Sequence, residues 1–194
     1  MPKLKFIHIP KNAGTSIEDW GRNYGYLWGR FDPDCPKHPD IKIQGIWHSP
    51  AKYWDKSDDI DYFCIIRHPY SRIISAINFL YPDGLNKELN NWIKDDLPTL
   101  VNKRFPTAFI PQYEYVYDTS TKEQLCKNIL SFNDLTYNFK DLMIKYRCKY
   151  AYRDLPNSNI TKNKRYKIDD LNKESINIID KLYSKDFKLI NLKQ

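Results

Sequence analysis

Residues 5–20 read KFIHIPKNAGTSIEDW, and the reading of the whole chain starts there. Phe6, Ile7 and Ile9 alternate as in a short buried strand. Pro10 cannot donate to a strand ladder and stops the pairing. Lys11, Asn12, Ala13, Gly14, Thr15 and Ser16 then form a tight turn, where Gly14 permits a left-handed or closely approached backbone. Ile17 and Trp20 follow on one face of a helix. A strand, a small-residue turn and a helix start make an anion site. The first helical amides point outward without intrahelical partners, and the helix dipole adds partial positive charge. Lys11 adds a full charge. Thr15 and Glu18 also fit a capping box, which would close the helix start without a ligand. The lysine precedes the glycine and no Gly-Lys-Ser/Thr follows, so the spacing departs from the usual phosphate loop.

A second junction of the same kind lies downstream. Residues 61–66, DYFCII, are nearly all apolar, which suits a strand buried on both faces of a parallel sheet. RHPYSR follows at once. Pro69 suits the first position of a helix, and Ile73, Ile74 and Ile77 continue it to about residue 80. Arg67 and Arg72 make this junction cationic too.

Between the junctions, residues 21–40 carry three glycines, three prolines and several aspartates and read as a long irregular loop. Ile41, Ile43, Ile46 and Trp47 predict a strand that ends at His48. Residues 51–59 read as a short helix or turn. After the second junction the pattern predicts a surface helix over 85–97 and a mixed segment over 98–111. Residues 112–117 alternate aromatics, as in a short strand or a pocket wall. A strand over 126–132, a helix over 135–146, a basic loop over 150–165 and a final amphipathic helix over 169–183 complete the chain. Strands alternating with helices predict an α/β layer fold with a mostly parallel sheet, and ligands in such sheets sit beyond the carboxyl ends of the strands. Lys11, His48 and Arg67 each follow a predicted strand.

The chain has 194 residues, and no repeat or low-complexity linker divides it, so one domain over 1–194 is expected. Its net charge of +7 favours anionic partners, yet the cations are dispersed and form no zinc-finger, RNP or basic-zipper pattern. A nucleic-acid partner is therefore not expected. Cys35, Cys64, Cys126 and Cys148 are widely separated, without a CxxC, which predicts reduced thiols and no zinc site. The first apolar run is too short for a signal peptide and no run reaches the length of a membrane span, so a soluble, cytoplasmic chain is expected.

These stretches resemble a known family. IPKNAGTSI (9–17) resembles the 5′-phosphosulfate loop of sulfotransferases that use 3′-phosphoadenosine 5′-phosphosulfate (PAPS). FCIIRHPYSRIISAINF (63–79) resembles their 3′-phosphate motif, in which an Arg is followed eight positions on by a Ser, as Arg67 is by Ser75. FIPQYEYV, NILSFNDLTYNFKDLM, LPNSNITKNKRY and KLYSKDFKLINL resemble later segments of the carbohydrate and heparan-type branch (sulfotransferase family 2), in the family's order. Asn133 stands where relatives often carry an acidic residue. Relatives usually have a membrane anchor and stem ahead of the first motif, which here begins almost at Met1.

The resemblance implies a P-loop-like three-layer fold, PAPS as donor and 3′,5′-bisphosphoadenosine (PAP) as product. It implies that Lys11, Asn12, Ala13, Gly14, Thr15 and Ser16 hold the 5′-phosphosulfate, and that Arg67 and Ser75 hold the 3′-phosphate. The loop with Lys162, Lys164 and Arg165 would close over the nucleotide; as a plain sequence feature it also fits a solvated charge run. His48 corresponds to the histidine that acts as base, with Lys11 stabilising the leaving group. The acceptor would be a hydroxyl, or an amine, of a glycan or small molecule. A sulfuryl group carries less charge than a phosphoryl group, so no metal is required. His8 reads as a core or supporting residue, and His68 as a helix-start residue. A nucleotide or small-molecule kinase and a non-catalytic nucleotide-binding relative are the competing expectations.

Overall fold

A computed structural model describes residues 3–36, 47–158 and 164–191. The chain is α/β, with a small open parallel sheet of three strands and eight α-helices among the described residues. It divides into two compact units, Met1–Ile66 with Glu114–Asn159, and Arg67–Tyr113 with Ile160–Gln194.

The first unit holds the sheet, in the order β1 (Lys3–Phe6), β2 (Ile60–Ile66), β3 (Asn128–Ser131). Both pairings are parallel, with Phe6 opposite Phe63 and Ile65 opposite Leu130. The unbroken apolar run of β2 suits its central place, and Phe63, Cys64 and Ile65 are fully buried. Helices α1 (Gly14–Asn23) and α6 (Leu135–Lys145) supply Ile17, Trp20, Phe139, Leu142 and Met143 to a core shared with Phe6, Phe63 and Leu130. Trp28 joins this core, stacked on Trp20 at 6.1 Å and edge-on to Phe63 at 5.1 Å. Its indole Nε1 donates to the Leu4 carbonyl of β1 at 3.0 Å. Lys5 is buried in ion pairs with Asp32 at 3.3 Å and Asp34 at 3.1 Å. Its charge is matched on the spot, which a buried ammonium requires.

The second unit is helical. It contains α2 (Pro69–Leu80), α3 (Leu89–Asp95), α4 (Leu97–Lys103), α7 (Lys173–Leu182) and α8 (Ser184–Asn191). Ile73, Ile77, Trp92, Ile93, Phe109, Ile179 and Tyr183 form its core, where α7 packs on α2 and α3.

Several elements differ from the sequence expectation. β1 ends at Phe6, although the Ile7 amide still bonds the Phe63 carbonyl at 2.9 Å. The strand expected over 41–47 lies outside the described residues except for Trp47, which is in a turn. The helix expected over 85–97 begins at Leu89, because the Glu88 carboxylate caps it by accepting from the Asn90 and Asn91 amides. The segment over 98–111 is half helix, since Pro98 falls in the first turn of α4, where no amide is missed. Residues 112–117 are not a strand; Tyr113–Val116 make a helical turn, α5. The last helix runs over Lys173–Leu182, started by the Asn172 side chain, which accepts from the Ser175 amide. Helix α8 follows it unannounced. Among the described residues no helix is long and apolar enough to cross a membrane.

Candidate functional site

The β1–α1 loop enters its helix through two left-handed residues, Lys11 (φ 69°) and Ala13 (φ 61°). Ala13 is the N-cap of α1, and its side chain makes no capping bond. The capping box expected from Thr15 and Glu18 does not form: Glu18 is turned into the interior and bonded elsewhere. The loop is held to the sheet by Asn12, which is buried and donates through Nδ2 to the Ile65 carbonyl of β2 at 2.6 Å. The helix start is thereby fixed at the carboxyl end of β2, where ligands of parallel sheets bind. Lys11, Ala13 and Thr15 are half-buried; Gly14 and Ser16 are buried. The Ser16 hydroxyl accepts from the Ser158 amide at 3.2 Å, which ties the start of the polar loop to the first turn of α1.

Gly14 has a steric duty. A Cβ at this position would fall inside the imidazole of His8, close to Nε2. His8 is buried against the helix start, tilted on Phe6 at 5.7 Å and edge-to-face with His48 at 4.5 Å. His48 is half-buried and also meets the Trp47 indole at 5.2 Å. The structure thus brings His48 to the same loop as Lys11 and Gly14, through His8. Gly14→Ala is expected to push the His8 ring out of place and to destabilise the fold by about 1–3 kcal/mol. A urea titration of the purified variant measures this, and an unchanged midpoint would contradict the close packing.

In the second unit, the Arg67 guanidinium donates through Nε to the Ser71 hydroxyl at 3.0 Å, and that hydroxyl donates to the His68 carbonyl at 3.0 Å. Ser75 is half-buried one turn beyond Ser71 along α2, on the same face. Burial, and then the neighbouring Arg72 guanidinium, hold Arg67 below the ordinary guanidinium value. Arg67 stays charged, and a bound anion would offset both effects. The backbone of Arg67 is clamped by Gln112: its amide donates to Gln112 Oε1 at 2.9 Å, and its carbonyl accepts from Nε2 at 2.8 Å. Asp186, in the first turn of α8, accepts the Gln112 and Tyr113 amides at 2.8 and 2.9 Å. Nothing in the local sequence announces Gln112 or Ser71; Ser71 carries only the weak signal of lying four residues beyond Arg67.

Of the predicted basic loop, Lys162 lies outside the described residues. Lys164 and Arg165 are exposed, with the Arg165 guanidinium against Gly84. Tyr166, just after them, is anchored to α2: the Asn78 side chain bonds both its amide and its carbonyl, at 3.0 and 2.9 Å.

In comparisons with protein-family models, curated proteins and solved structures, nothing matches this chain.

Proposed function

We propose that the chain is a PAPS-dependent sulfotransferase that moves a sulfuryl group to a hydroxyl of a carbohydrate or similar acceptor, on a P-loop-like three-layer fold. The observation that supports this most is the entry to α1. Two left-handed residues lead into a helix whose N-cap, Ala13, has no capping side chain, with Lys11 in the loop, buried His8 packed on Gly14 and half-buried His48 edge-on to His8. A helix start beside a lysine suits an anionic leaving group. In this reading the loop from Lys11 to Ser16 takes the 5′-phosphosulfate, Arg67 and Ser75 take the 3′-phosphate with Ser71 orienting the guanidinium, and Lys162 and Lys164 belong to the covering loop.

The chemistry is an in-line displacement with a loose transition state, by analogy with phosphoryl transfer. The acceptor oxygen bonds to sulfur as the bond from sulfur to the 5′-phosphate oxygen breaks. The electron pair stays on that phosphate oxygen, where Lys11 and the helix amides stabilise it. The proton of the acceptor hydroxyl goes to a ring nitrogen of His48.

Titration calorimetry with PAP tests the proposal. The parent protein is expected to bind PAP. Lys11→Ala is expected to weaken that binding about 10–100-fold, the equivalent of a charged hydrogen bond at about 1.5–3 kcal/mol. Absence of heat from PAP, or tighter binding of Mg-ATP, would overturn the reading in favour of a kinase or an unrelated function.

A further inference from the structure

Within the first unit an ionisable pair lies directly against His48. The Nδ1 of His8 is 2.6 Å from Oε1 of Glu18, and both side chains are buried. A carboxylate only accepts, so toward an ionised Glu18 the ring presents a proton on Nδ1. Glu18 is itself fixed. The Arg30 amide donates to the same oxygen at 3.0 Å, and the Arg30 guanidinium lies 3.4 Å from the other. Gly29, at φ 56°, lets the Arg30 amide come so close, because a Cβ there would collide with the carboxylate.

Among the described residues, Phe6, Gly14 and His48 lie against His8. Glu18 faces Arg30, which also pairs with Asp19 at 2.7 Å. Glu18 also acts on Cys35, whose thiol is pushed up to about 12, by burial first and then by the Asp32 charge. The Cys35 thiol therefore stays neutral beside the pair. Two apolar side chains would fill this space without desolvating a carboxylate. What the Glu–His pair adds is a fixed orientation for the ring behind His48, on a carboxylate that is itself held by Arg30.

We infer that Glu18 and His8 are positioning residues for His48, an inference that rests on the reading of His48 as the proton acceptor. Glu18 locks the His8 ring, and the locked ring holds the plane of His48 toward the acceptor hydroxyl. Substitution of Glu18 by Gln removes the lock, since an amide can either accept from or donate to Nδ1.

The test combines ring-nitrogen NMR of the histidines with kinetics, on Glu18→Gln and on His8→Phe, which keeps the ring packing without its nitrogens. In the parent, neutral His8 is expected to carry its proton on Nδ1 alone. In Glu18→Gln both tautomers are expected, together with a displacement of the His48 ring resonances. With PAPS and an acceptor, kcat is expected to fall about 10²-fold, as for a misplaced catalytic group, and PAP affinity and donor KM to stay within about twofold. His8→Phe is expected to show the same split, and it carries the test if Glu18→Gln fails to fold. Unmoved His48 resonances in folded Glu18→Gln or His8→Phe, or unchanged kcat in either, would overturn the inference. Failure of the sulfotransferase reading registers separately, as absent PAP heat in the parent, and the ring spectra then still decide whether the pair positions His48.

Discussion

His48→Ala is expected to lower turnover by about 10²–10⁴-fold, the range for loss of a general base, while PAP binds as in the parent. His48 is half-buried, with one neighbour ring from His8 and one from Trp47, so its removal leaves the Lys11 loop and the Asn12 anchor in place. The loss should therefore fall on kcat, not on donor binding. The acidic limb of the pH–rate profile should vanish with it, because that limb reports protonation of the base. Steady-state kinetics with labelled PAPS and a panel of hydroxyl acceptors measure both. Turnover within a few-fold of the parent would remove His48 from the role.

Asp186→Ala is expected to be the most damaging change outside the proposed chemistry. The carboxylate is wholly buried, and it accepts the backbone amides of Gln112 and Tyr113 and, at 3.4 Å, the Gln112 side chain. Alanine removes the carboxylate that both amides donate to, at about 1–3 kcal/mol each, so a loss of up to about 6 kcal/mol is expected. The effect depends on pH with a definite sign. Burial raises the Asp186 carboxyl above the ordinary carboxylate value, against the opposing pull of Arg72 and of the donated amides. An acid raised on folding contributes most below its unfolded value of about 4 and less as pH climbs through the folded one. The gap between variant and parent should thus be wider at pH 4 than at pH 8. Urea titrations at the two pH values measure it, and a gap that widens toward pH 8 would contradict the assignment. Because Gln112 clamps the Arg67 backbone, PAP affinity should fall as well, although Asp186 is no ligand.

The parts of the fold that could be read from the chain are those with strong local grammar. β2 is a pure apolar run, α2 opens on Pro69 with isoleucines at helical spacing, and the small residues after Pro10 mark a turn into a helix. The misread parts are those where a distant side chain decides. Residues 112–117 carry an alternating aromatic pattern, but Asp186, far along the chain, captures the Gln112 and Tyr113 amides and bends the segment into a helical turn. Glu18 has the spacing of a capping residue, yet Ala13 begins the helix and the carboxylate finds His8 ten residues back. Helix α8 lies beyond the amphipathic pattern read over 169–183 and has no Gly, Pro or other strong local signal at its start. For the candidate site, a turn into α1 after Pro10 was legible from residue types, although the helix already begins at Gly14, while the His8–Glu18 pair and the Arg67–Ser71 bond depend on the folded geometry.

The hydrogen bond from the Trp28 indole to the Leu4 carbonyl has a colloidal consequence. In the described sheet β1 is an outer strand only four residues long, and outer strands are templates on which stray copies polymerise. An indole clamped across such a strand occupies one of the acceptors an incoming chain would need. A rim blunted in this way is a poorer template for strand addition.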